Sequence, residues 1–381
     1  MRPCWCGNTE LKPFGPDYGR CENCGTLVLL DEGVGSSPAV MNDDDDFYGK
    51  NYWLEHQKAD FGYDDFHKRS REDLHGRNLF WLRTLLKFKR PPARTIELGC
   101  AHASFVALMH QAGFDSTGVE MSPWIVAFGQ DTFGVPVKVG PIENIGIEAG
   151  SVDVIALMDV LEHLPDPVGT MRHCLSLLKP DGLLLIQTPE FRPEMDFDAL
   201  VAENGAFLEQ LKRDEHLYLF SRDSVTRFFK EIGAGALLFE PALYAHYDMY
   251  LCVGKSELMP IDDASPVQEV LLGQPSGRFV ASLLAMDDKE TALRGELKEL
   301  IEYKSQADQQ LGAMTAQFNE INDQYQRLLN EVGEYRHNAN SQIQELTQGL
   351  LAAQDRLAER EAQLSQPLVR YADRISNALK R

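Results

Sequence analysis

The sequence predicts an α/β domain with a doubly wound sheet, followed by a long helical region. Short apolar runs occur over 154–158 and 183–186, a length that suits strands. An earlier run over 95–98 is followed by a turn of small residues, and Glu120 ends the next apolar run. In a doubly wound sheet, ligands bind outside the carboxyl ends of the strands. The layout therefore predicts a ligand site at the first strand-to-helix turn.

The chemistry of this turn indicates a nucleoside-like ligand without phosphates. Gly99, Ala101 and Ala103 keep the turn thin, so that its backbone can approach a ligand closely. A carboxylate at Glu120 can accept hydrogen bonds from two ribose hydroxyls. A dinucleotide fingerprint would read G-x-G-x-x-G, whereas residues 99–103 read Gly-Cys-Ala-His-Ala. A pyrophosphate ligand is therefore disfavoured.

Three segments, in order along the chain, resemble motifs of the class I S-adenosylmethionine-dependent methyltransferases. Residues 97–101 resemble the first motif, 153–167 the fourth strand and its loop, and 178–188 the fifth strand with its preceding turn. The resemblance covers residues 75–255. It implies a Rossmann-like class I methyltransferase sheet that binds S-adenosylmethionine. The cofactor-binding residues that it implies are Glu97, Gly99, Ala101, Glu120, Met121, Ile142 and Asp159.

The adenine side of the expected site departs from the family pattern. The family usually has an acidic residue where this chain has Gly140-Pro141-Ile142. Adenine recognition is therefore expected to depend on the backbone there, or on a neighbour such as Glu143.

Two close pairs of cysteines near the start predict a zinc-binding lobe over residues 1–46. Cys4 and Cys6 form one pair, and Cys21 and Cys24 the other, an arrangement in which two turns offer four thiolates to one tetrahedral ion. The first pair is C-x-C rather than the usual C-x-x-C. A structural zinc is the favoured interpretation; a direct role in substrate or partner binding, or no metal, are the alternatives. The other three cysteines, Cys100, Cys174 and Cys252, are expected in the core.

A lobe of this kind followed by residues 47–53 resembles a bacterial methyltransferase group that acts on deoxysugars and cell-surface polysaccharides. Residues 214–221 resemble the histidine-bearing segment of that group, which implies that His216 is a general base near the sugar. Asp214 stands where the group commonly has a second histidine, and could orient His216 or replace a base. Packing at the start of the next helix is the alternative role of His216. That helix is expected to begin with Ser221 as its N-cap.

Further residues near the predicted site have two interpretations each. His163 follows Glu162 after a buried strand, and is either a second catalytic histidine or a residue that orients its loop. Tyr48, Tyr52 and Trp53 either cover the site as a lid or attach a loop to the core. The preceding aspartates, Asp43 to Asp46, are expected to be a solvated loop.

A heptad pattern predicts a coiled coil over residues 291–364, after a linker over 256–290. The seam steps by alternating four and three residues, with a stutter after Ala339. Its members before the stutter are Leu297, Leu300, Lys304, Ala307, Leu311, Met314, Phe318, Ile321, Tyr325, Leu328, Val332, Tyr335 and Ala339, and the seam continues through Ile343, Leu346, Leu350, Ala353, Leu357 and Leu364. Self-association is expected, with a helix folded back on its own domain as the alternative. The seam does not decide between dimer and trimer.

The last segment, 365–381, has a basic amphipathic pattern with Arg370 and Arg374 among apolar residues. Contact with an anionic membrane surface, docking to a partner, and a frayed end of the coil are open alternatives. In the resembling polysaccharide enzymes, a rod beyond the methyltransferase can hold a polymerase, which makes a glycosyltransferase the implied partner. The predicted domains are thus 1–46, 47–255, 256–290, 291–364 and 365–381.

Charge and hydropathy narrow the classes of function. The net charge of −21 opposes a nucleic-acid partner, because no basic patch is segregated in the central region. Neither a signal peptide nor a stretch of 18 apolar residues is seen in the sequence, so a cytoplasmic protein is expected, with a peripheral position at the inner membrane face as the alternative. The favoured function is methylation of a nucleotide-linked deoxysugar or a growing surface glycan. The competing hypothesis is a degenerate methyltransferase-like domain that serves as a coiled-coil scaffold.

Overall fold

The computed structural model of the protein describes residues 2–33, 49–50, 52–56, 66–261 and 265–380. The chain divides into two compact units, Met1–Thr291 and Ala292–Arg381. The two units are taken in turn below.

Strands and helices alternate through the middle of the first unit. The strands are β1 Leu11–Phe14, β2 Tyr18–Cys21, β3 Leu27–Leu29, β4 Arg94–Leu98, β5 Asp115–Glu120, β6 Val137–Val139, β7 Val152–Met158, β8 Leu178–Pro189, β9 Tyr218–Leu219, β10 Ala236–Glu240 and β11 Asp248–Gly254. The helices are α1 Phe66–His75, α2 Arg77–Phe88, α3 Ser104–Gln111, α4 Pro123–Phe133, α5 Pro167–Leu177, α6 Phe197–Glu203, α7 Arg222–Glu231, α8 Ser265–Gly273 and α9 Pro275–Leu379.

The central sheet confirms the predicted Rossmann-like architecture. Its strand order is β10-β11-β8-β7-β4-β5-β6. The five strands from β8 to β6 are parallel, and β11 is antiparallel to both β8 and β10. Every residue of β7 is buried, as expected for a central strand covered on both faces. Because β4 lies between β5 and β7, the strand order reverses there, and ligands bind at such a switch point.

The first three strands do not form a lobe of their own, which corrects the predicted domain over 1–46. They form a four-stranded sheet with β9 in the order β1-β2-β3-β9. Leu27 pairs with Leu219 and Val28 with Tyr218, and these strands share one hydrophobic core with β7, β8 and α7. A segment this short gains a core by joining the larger one. Residues 34–46 lie outside the described part of the chain.

The segment predicted as a linker over 256–290 is instead packed on the first unit. Val267 and Leu271 of α8 and Val280 of α9 are buried in the core that contains α2 and α3. Arg83 of α2 also contacts the carboxylate of Asp287 at 2.9 Å. Apolar residues four positions apart on α8 give it the buried face that this packing requires.

The second unit is a single helix, the part of α9 from Ala292 onward. The long C-terminal helix was predicted from the sequence, but the boundary at 364/365 is absent, because α9 continues through Pro367 to Leu379. A proline removes one backbone hydrogen bond of a helix, and here the good helix formers on both sides continue the element. The seam side chains are solvent-exposed, with Leu328 at 58% and Ile321 at 65%.

Across the described residues, no helix combines the length and the apolar character needed to cross a membrane.

Candidate functional site

The turn after β4, which the sequence predicted to be thin, has a strained backbone. Gly99, Ala101 and Ala103 all adopt left-handed conformations, with φ angles of 68°, 48° and 61°. A side chain on Gly99 would place its Cβ 2.5 Å from Cγ2 of Val160, in the loop after β7. Left-handed alanines are costly and persist where surrounding contacts impose them, most often at functional sites. The turn therefore brings bare backbone to the switch point of the sheet.

Glu120 lies at the end of β5, and its carboxylate is held by backbone donors. It accepts hydrogen bonds from the N–H groups of Ala101 at 3.0 Å, Met121 at 2.7 Å and Ser122 at 3.3 Å. Burial raises the pKa of Glu120, and these backbone bonds oppose that rise. A carboxylate has roughly four lone-pair positions, so an oriented acceptor remains available to a ribose diol. Met121, a predicted cofactor residue, donates its backbone N–H to this carboxylate.

Glu97 and Ile142 are both buried. Burial raises the pKa of Glu97 well above its usual range, and its Oε2 has no hydrogen-bond partner among the described residues. Ile142 is 1% exposed and packs in the core below the sheet, so little of its side chain is open to adenine. The neighbouring Glu143 accepts a hydrogen bond from Thr170 at 2.7 Å. Adenine recognition by the backbone of residues 140–142 or by Glu143 stays a prediction.

Asp159 follows β7 and faces the same edge of the sheet. Its backbone is left-handed, with φ of 58°. Its Oδ1 accepts a hydrogen bond from Gln187 Nε2 at 3.0 Å, and its Oδ2 lies 3.8 Å from Arg77 Nη1. Gln187 in turn accepts a hydrogen bond from the indole of Trp81 at 3.0 Å. The predicted cofactor residue is therefore held by groups from β8 and α2.

A polar network on α1 and α2 escaped the sequence analysis. Asp73 receives hydrogen bonds from Arg77 at 3.1 and 3.2 Å, and lies 3.0 Å from Nε2 of His102 in the turn after β4. The bond with His102 and the charge of Arg77 hold the pKa of Asp73 well below its usual range, against the effect of burial. Arg69 lies on the same face, 3.6 Å from Asp73. The four-residue spacing of these charges on a helix was the available signal.

The two histidines that the sequence selected separately lie side by side. The ring centroids of His163 and His216 are 4.8 Å apart, with the rings nearly perpendicular. The Nδ1 of His163 lies 3.0 Å from the carbonyl oxygen of Glu215, and that of His216 lies 2.7 Å from the carbonyl oxygen of Gln210. A carbonyl only accepts, so each Nδ1 carries the proton and each Nε2 carries a lone pair.

Burial keeps both imidazoles neutral. It lowers the pKa of His163 to about 4 and that of His216 well below its usual range. His216 is 4% exposed. Ser221 caps α7 by accepting a hydrogen bond from the N–H of Ser224 at 3.1 Å, as predicted. Asp214 is solvent-exposed and lies beside Arg213, so it does not orient His216.

Glu162 completes this cluster from the loop after β7. Its side chain is fully buried, and its Oε2 accepts a hydrogen bond from Thr188 at 2.9 Å. Its Oε1 lies 3.9 Å from Nε2 of His163 and has no hydrogen-bond partner among the described residues. One ligand atom each of Glu162, His163 and His216 lies within 4.8 Å of the others.

Glu215 lies beside the histidines, since its carbonyl oxygen is 3.0 Å from Nδ1 of His163. The hydroxyl of Tyr52 donates a hydrogen bond to Oε2 of Glu215 at 3.2 Å, and Trp53 is buried against Tyr52 and Phe66. Tyr48, the third predicted aromatic, and the aspartates 43–46 lie outside the described residues.

Asp248, at the start of β11, is a buried carboxyl that the sequence analysis missed. Burial and the charge of Asp159 raise its pKa to about 8.

The four N-terminal cysteines converge as their spacing predicted. The Sγ atoms of Cys4 and Cys24 are 3.4 Å apart, and those of Cys6 and Cys21 are 3.7 Å apart. All four sulfurs lie within 4.8 Å of one another. Tetrahedral zinc with bonds of ~2.3 Å separates its sulfur ligands by ~3.8 Å, so the donor set fits that ion. Cys100, Cys174 and Cys252 are buried in the core.

The fold and the cofactor edge together define a class I S-adenosylmethionine-dependent methyltransferase domain. Residues 70–236 match the family model described as a methyltransferase domain. The chain is 33% identical over 104 residues to a ubiquinone biosynthesis O-methyltransferase of Xanthomonas campestris pv. campestris, covering 26% of this chain and 44% of that protein. The similarity to the enzyme of the same name from Bordetella avium is 29% over 131 residues, covering 33% and 54%. The chain thus spans about half the length of these relatives.

Solved methyltransferase structures also resemble the chain. Phosphoethanolamine N-methyltransferase 2 of Haemonchus contortus, in complex with S-adenosyl-L-methionine, is 15% identical, with a TM-score of 0.40. The similarity covers 54% of this chain and 60% of that one.

Proposed function

We propose that the protein transfers a methyl group from S-adenosylmethionine to a hydroxyl oxygen of a sugar, either a nucleotide-linked deoxysugar or a growing surface glycan. The observation that carries this proposal is the set of groups at one edge of the central sheet. There the strained turn after β4, the oriented carboxylate of Glu120 at the end of β5 and His163 after β7 follow neighbouring strands, and His216 packs against His163.

The cofactor side is the better defined half of the proposed site. S-adenosylmethionine supplies an electrophilic methyl group on a sulfonium. Glu120, fixed by three backbone N–H groups, would accept hydrogen bonds from the ribose hydroxyls. Gly99 and Ala101 would let the ligand approach the backbone of the turn, and Asp159 would face the methionine end. A site held this rigidly favours the in-line geometry that methyl transfer needs.

The acceptor side would be formed by the segment around His216. A hydroxyl loses a proton when it becomes an ether, and the Nε2 lone pair of His216 or His163 is the available acceptor. Their depressed pKa values keep these rings unprotonated at neutral pH, and also make them weak bases. Asp248 and Glu215 border the same region, and such groups are suited to orienting the hydroxyls of a sugar.

A phenolic hydroxyl is the second candidate acceptor. It is favoured by the similarity to two proteins named ubiquinone biosynthesis O-methyltransferase. Both candidates require oxygen methylation, so they differ only in the ring that carries the acceptor. A loss of cofactor binding would instead support the scaffold hypothesis.

Calorimetric titration of the full-length protein with S-adenosylmethionine tests the proposal. We expect micromolar binding, weakened by roughly 10–100-fold in Glu120→Gln, because an amide loses a charge-assisted acceptor. Glu148→Gln, at an exposed position before β7, is the matched control. Transfer of labelled methyl groups to nucleotide sugars, glycan extracts and simple catechols then identifies the acceptor. Absence of binding in folded protein would leave the scaffold as the function.

We further propose that Cys4, Cys6, Cys21 and Cys24 hold a structural zinc, and that the seam of the second unit mediates self-association. The four sulfurs support the first proposal. The exposed apolar stripe supports the second, because an isolated helix would leave it in water.

The C-terminal turns of α9 are the proposed contact with an anionic surface or a glycosyltransferase partner. Arg370 and Arg374 lie there among exposed apolar residues such as Leu368 and Ile375. Sedimentation with anionic vesicles tests the membrane alternative. Arg370→Glu together with Arg374→Glu is expected to abolish co-sedimentation.

A further inference from the structure

We propose that Glu162, His163 and His216 bind a divalent transition-metal ion on the acceptor side of the methyltransferase domain. The three side chains come from the loop after β7 and the segment before β9, so the fold assembles them from distant parts of the chain. Their ligand atoms lie within 4.8 Å of one another. This site is separate from the four-cysteine cluster.

Both imidazoles are already oriented as metal ligands. Each Nδ1 donates its proton to a backbone carbonyl, of Glu215 for His163 and of Gln210 for His216. Metal-binding histidines use this arrangement, because it fixes the tautomer and directs the Nε2 lone pair at the ion. The rings are also held nearly perpendicular, 4.8 Å apart, so their Nε2 atoms approach from different directions.

The carboxylate is oriented in the same way. Thr188 donates a hydrogen bond to Oε2 of Glu162 at 2.9 Å, which leaves Oε1 toward His163. Oε1 is fully buried and has no hydrogen-bond partner among the described residues. A buried carboxylate oxygen without a partner is strongly unfavourable, and a cation removes that penalty.

The donor set selects the class of ion. Two imidazole nitrogens and one carboxylate oxygen suit zinc, iron, cobalt or nickel better than magnesium or calcium, which prefer oxygen ligands. Metal bonds of ~2.1 Å place neighbouring ligand atoms ~3–4 Å apart. Side-chain rotations that move the ligand atoms by less than about 1 Å would therefore bring all three to bonding distance of one ion.

An ion held by three protein ligands keeps open coordination positions. This part of the inference rests on the proposed function: a hydroxyl acceptor would coordinate the ion, which would lower its pKa and fix its direction toward the cofactor. The same Nε2 lone pair cannot bind the ion and accept a proton at once. In the metal-bound protein His216 is therefore a ligand rather than a base, and the proton of the coordinated hydroxyl would pass to water.

Zinc titration of the metal-stripped full-length protein tests the site. We expect two zinc ions per chain, one on the cysteines and one on this cluster. Glu162→Gln, His163→Gln and His216→Gln should each retain one ion and bind the second at least about tenfold more weakly. Cys6→Ser should lose the other ion. His110→Gln is the control, since His110 is exposed on α3 and should leave both ions bound.

Two further measurements distinguish a failure of the metal-site proposal from a failure of the proposed function. Thr188→Val should weaken the second zinc by roughly 10–100-fold, because it loosens the carboxylate without removing a ligand. S-adenosylmethionine binding is measured on every variant, and the melting temperature reports folding. Zinc binding that is unchanged in folded Glu162→Gln and His216→Gln would overturn the metal site. Zinc binding as expected without cofactor binding would overturn the proposed function alone.

Discussion

At the residue scale, several residues other than glycine adopt left-handed backbone conformations at the edge of the sheet where the cofactor is expected. Ala101, Ala103 and Asp159 adopt this conformation at the ends of β4 and β7. Such backbone is unfavourable by ~1–2 kcal/mol per residue, so its concentration at one edge reflects the shape of the turn. The sequence predicted the thin turn because small residues are its direct signature.

Replacement of Gly99 by alanine tests this shape. Gly99→Ala adds left-handed strain of ~1–2 kcal/mol and a clash with Val160. We expect a lower free energy of unfolding and at least about tenfold weaker S-adenosylmethionine binding, measured by urea denaturation and calorimetry. Gly146→Ala is the matched control: its φ is 73° and nothing lies within 4 Å of the added Cβ. Equal effects of the two changes would contradict the close packing at Gly99.

Asp248 should make the free energy of unfolding fall as the pH rises. Its pKa is about 8 in the folded protein, against ~3.9 in an unfolded chain. Between these values the unfolded chain loses the proton while the native state keeps it. The free energy of unfolding of the wild type should therefore fall as the pH rises toward 8, by up to ~1.4 kcal/mol per unit from this group.

Asp248→Asn removes the titration. In urea denaturation from about pH 5 to pH 8, we expect the stability of the variant relative to wild type to increase with pH. Asp131→Asn, at an exposed position of α4, is the control and should follow the wild type. A constant difference between Asp248→Asn and wild type across this range would refute the burial argument.

At the scale of elements, the short strands at the start of the chain were only partly predictable from the sequence. The cysteine spacing predicted the four-sulfur cluster, because close pairs are local in sequence. The pairing of β3 with β9 was not predictable, since β9 has only two residues and no alternation to detect. Asp73 and His102 were missed for a related reason: their contact joins α1 to the turn after β4. Local patterns predict elements, whereas contacts between distant segments depend on packing.

Loss of a cysteine ligand should destabilise this small sheet. Cys6→Ser removes one of four thiolates, and we expect loss of the zinc ion held by the cysteines and a fall in melting temperature of at least about 5 °C. Metal content is measured by mass spectrometry, and unfolding by calorimetry. Cys100→Ala, a buried cysteine outside the cluster, should keep its zinc. A zinc content of Cys6→Ser equal to that of the wild type would exclude the four-thiolate site.

At the scale of the whole molecule, the two units have different sources of stability. The first buries extensive cores, whereas the second exposes its apolar seam. The heptad pattern predicted the helix, since its period needs no tertiary information. The predicted helix was too short at both ends, because α9 begins at Pro275 within the packed first unit and continues past Pro367.

A charge on the seam should disrupt the proposed assembly. Leu328→Asp places a carboxylate at a seam position, and we expect self-association to weaken at least about tenfold, because burying an unpaired charge is unfavourable. Sedimentation of the full-length protein measures the change. Asn330→Asp adds the same charge off the seam and should leave the assembly size unaltered. An unaffected assembly in Leu328→Asp would exclude this face as the interface.

The pairing of β3 with β9 also has a consequence for synthesis of the chain. The two strands lie about 190 positions apart, so at ordinary translation rates β3 leaves the ribosome roughly 10–40 s before its partner. Throughout that interval one edge of the nascent three-stranded sheet is unpaired, and open edges favour aggregation. The hydroxyl of Tyr18 in β2 also bonds to the carbonyl of His216, just before β9. The histidine segment is thus anchored to a strand made first, and its final geometry forms only after most of the domain has been translated.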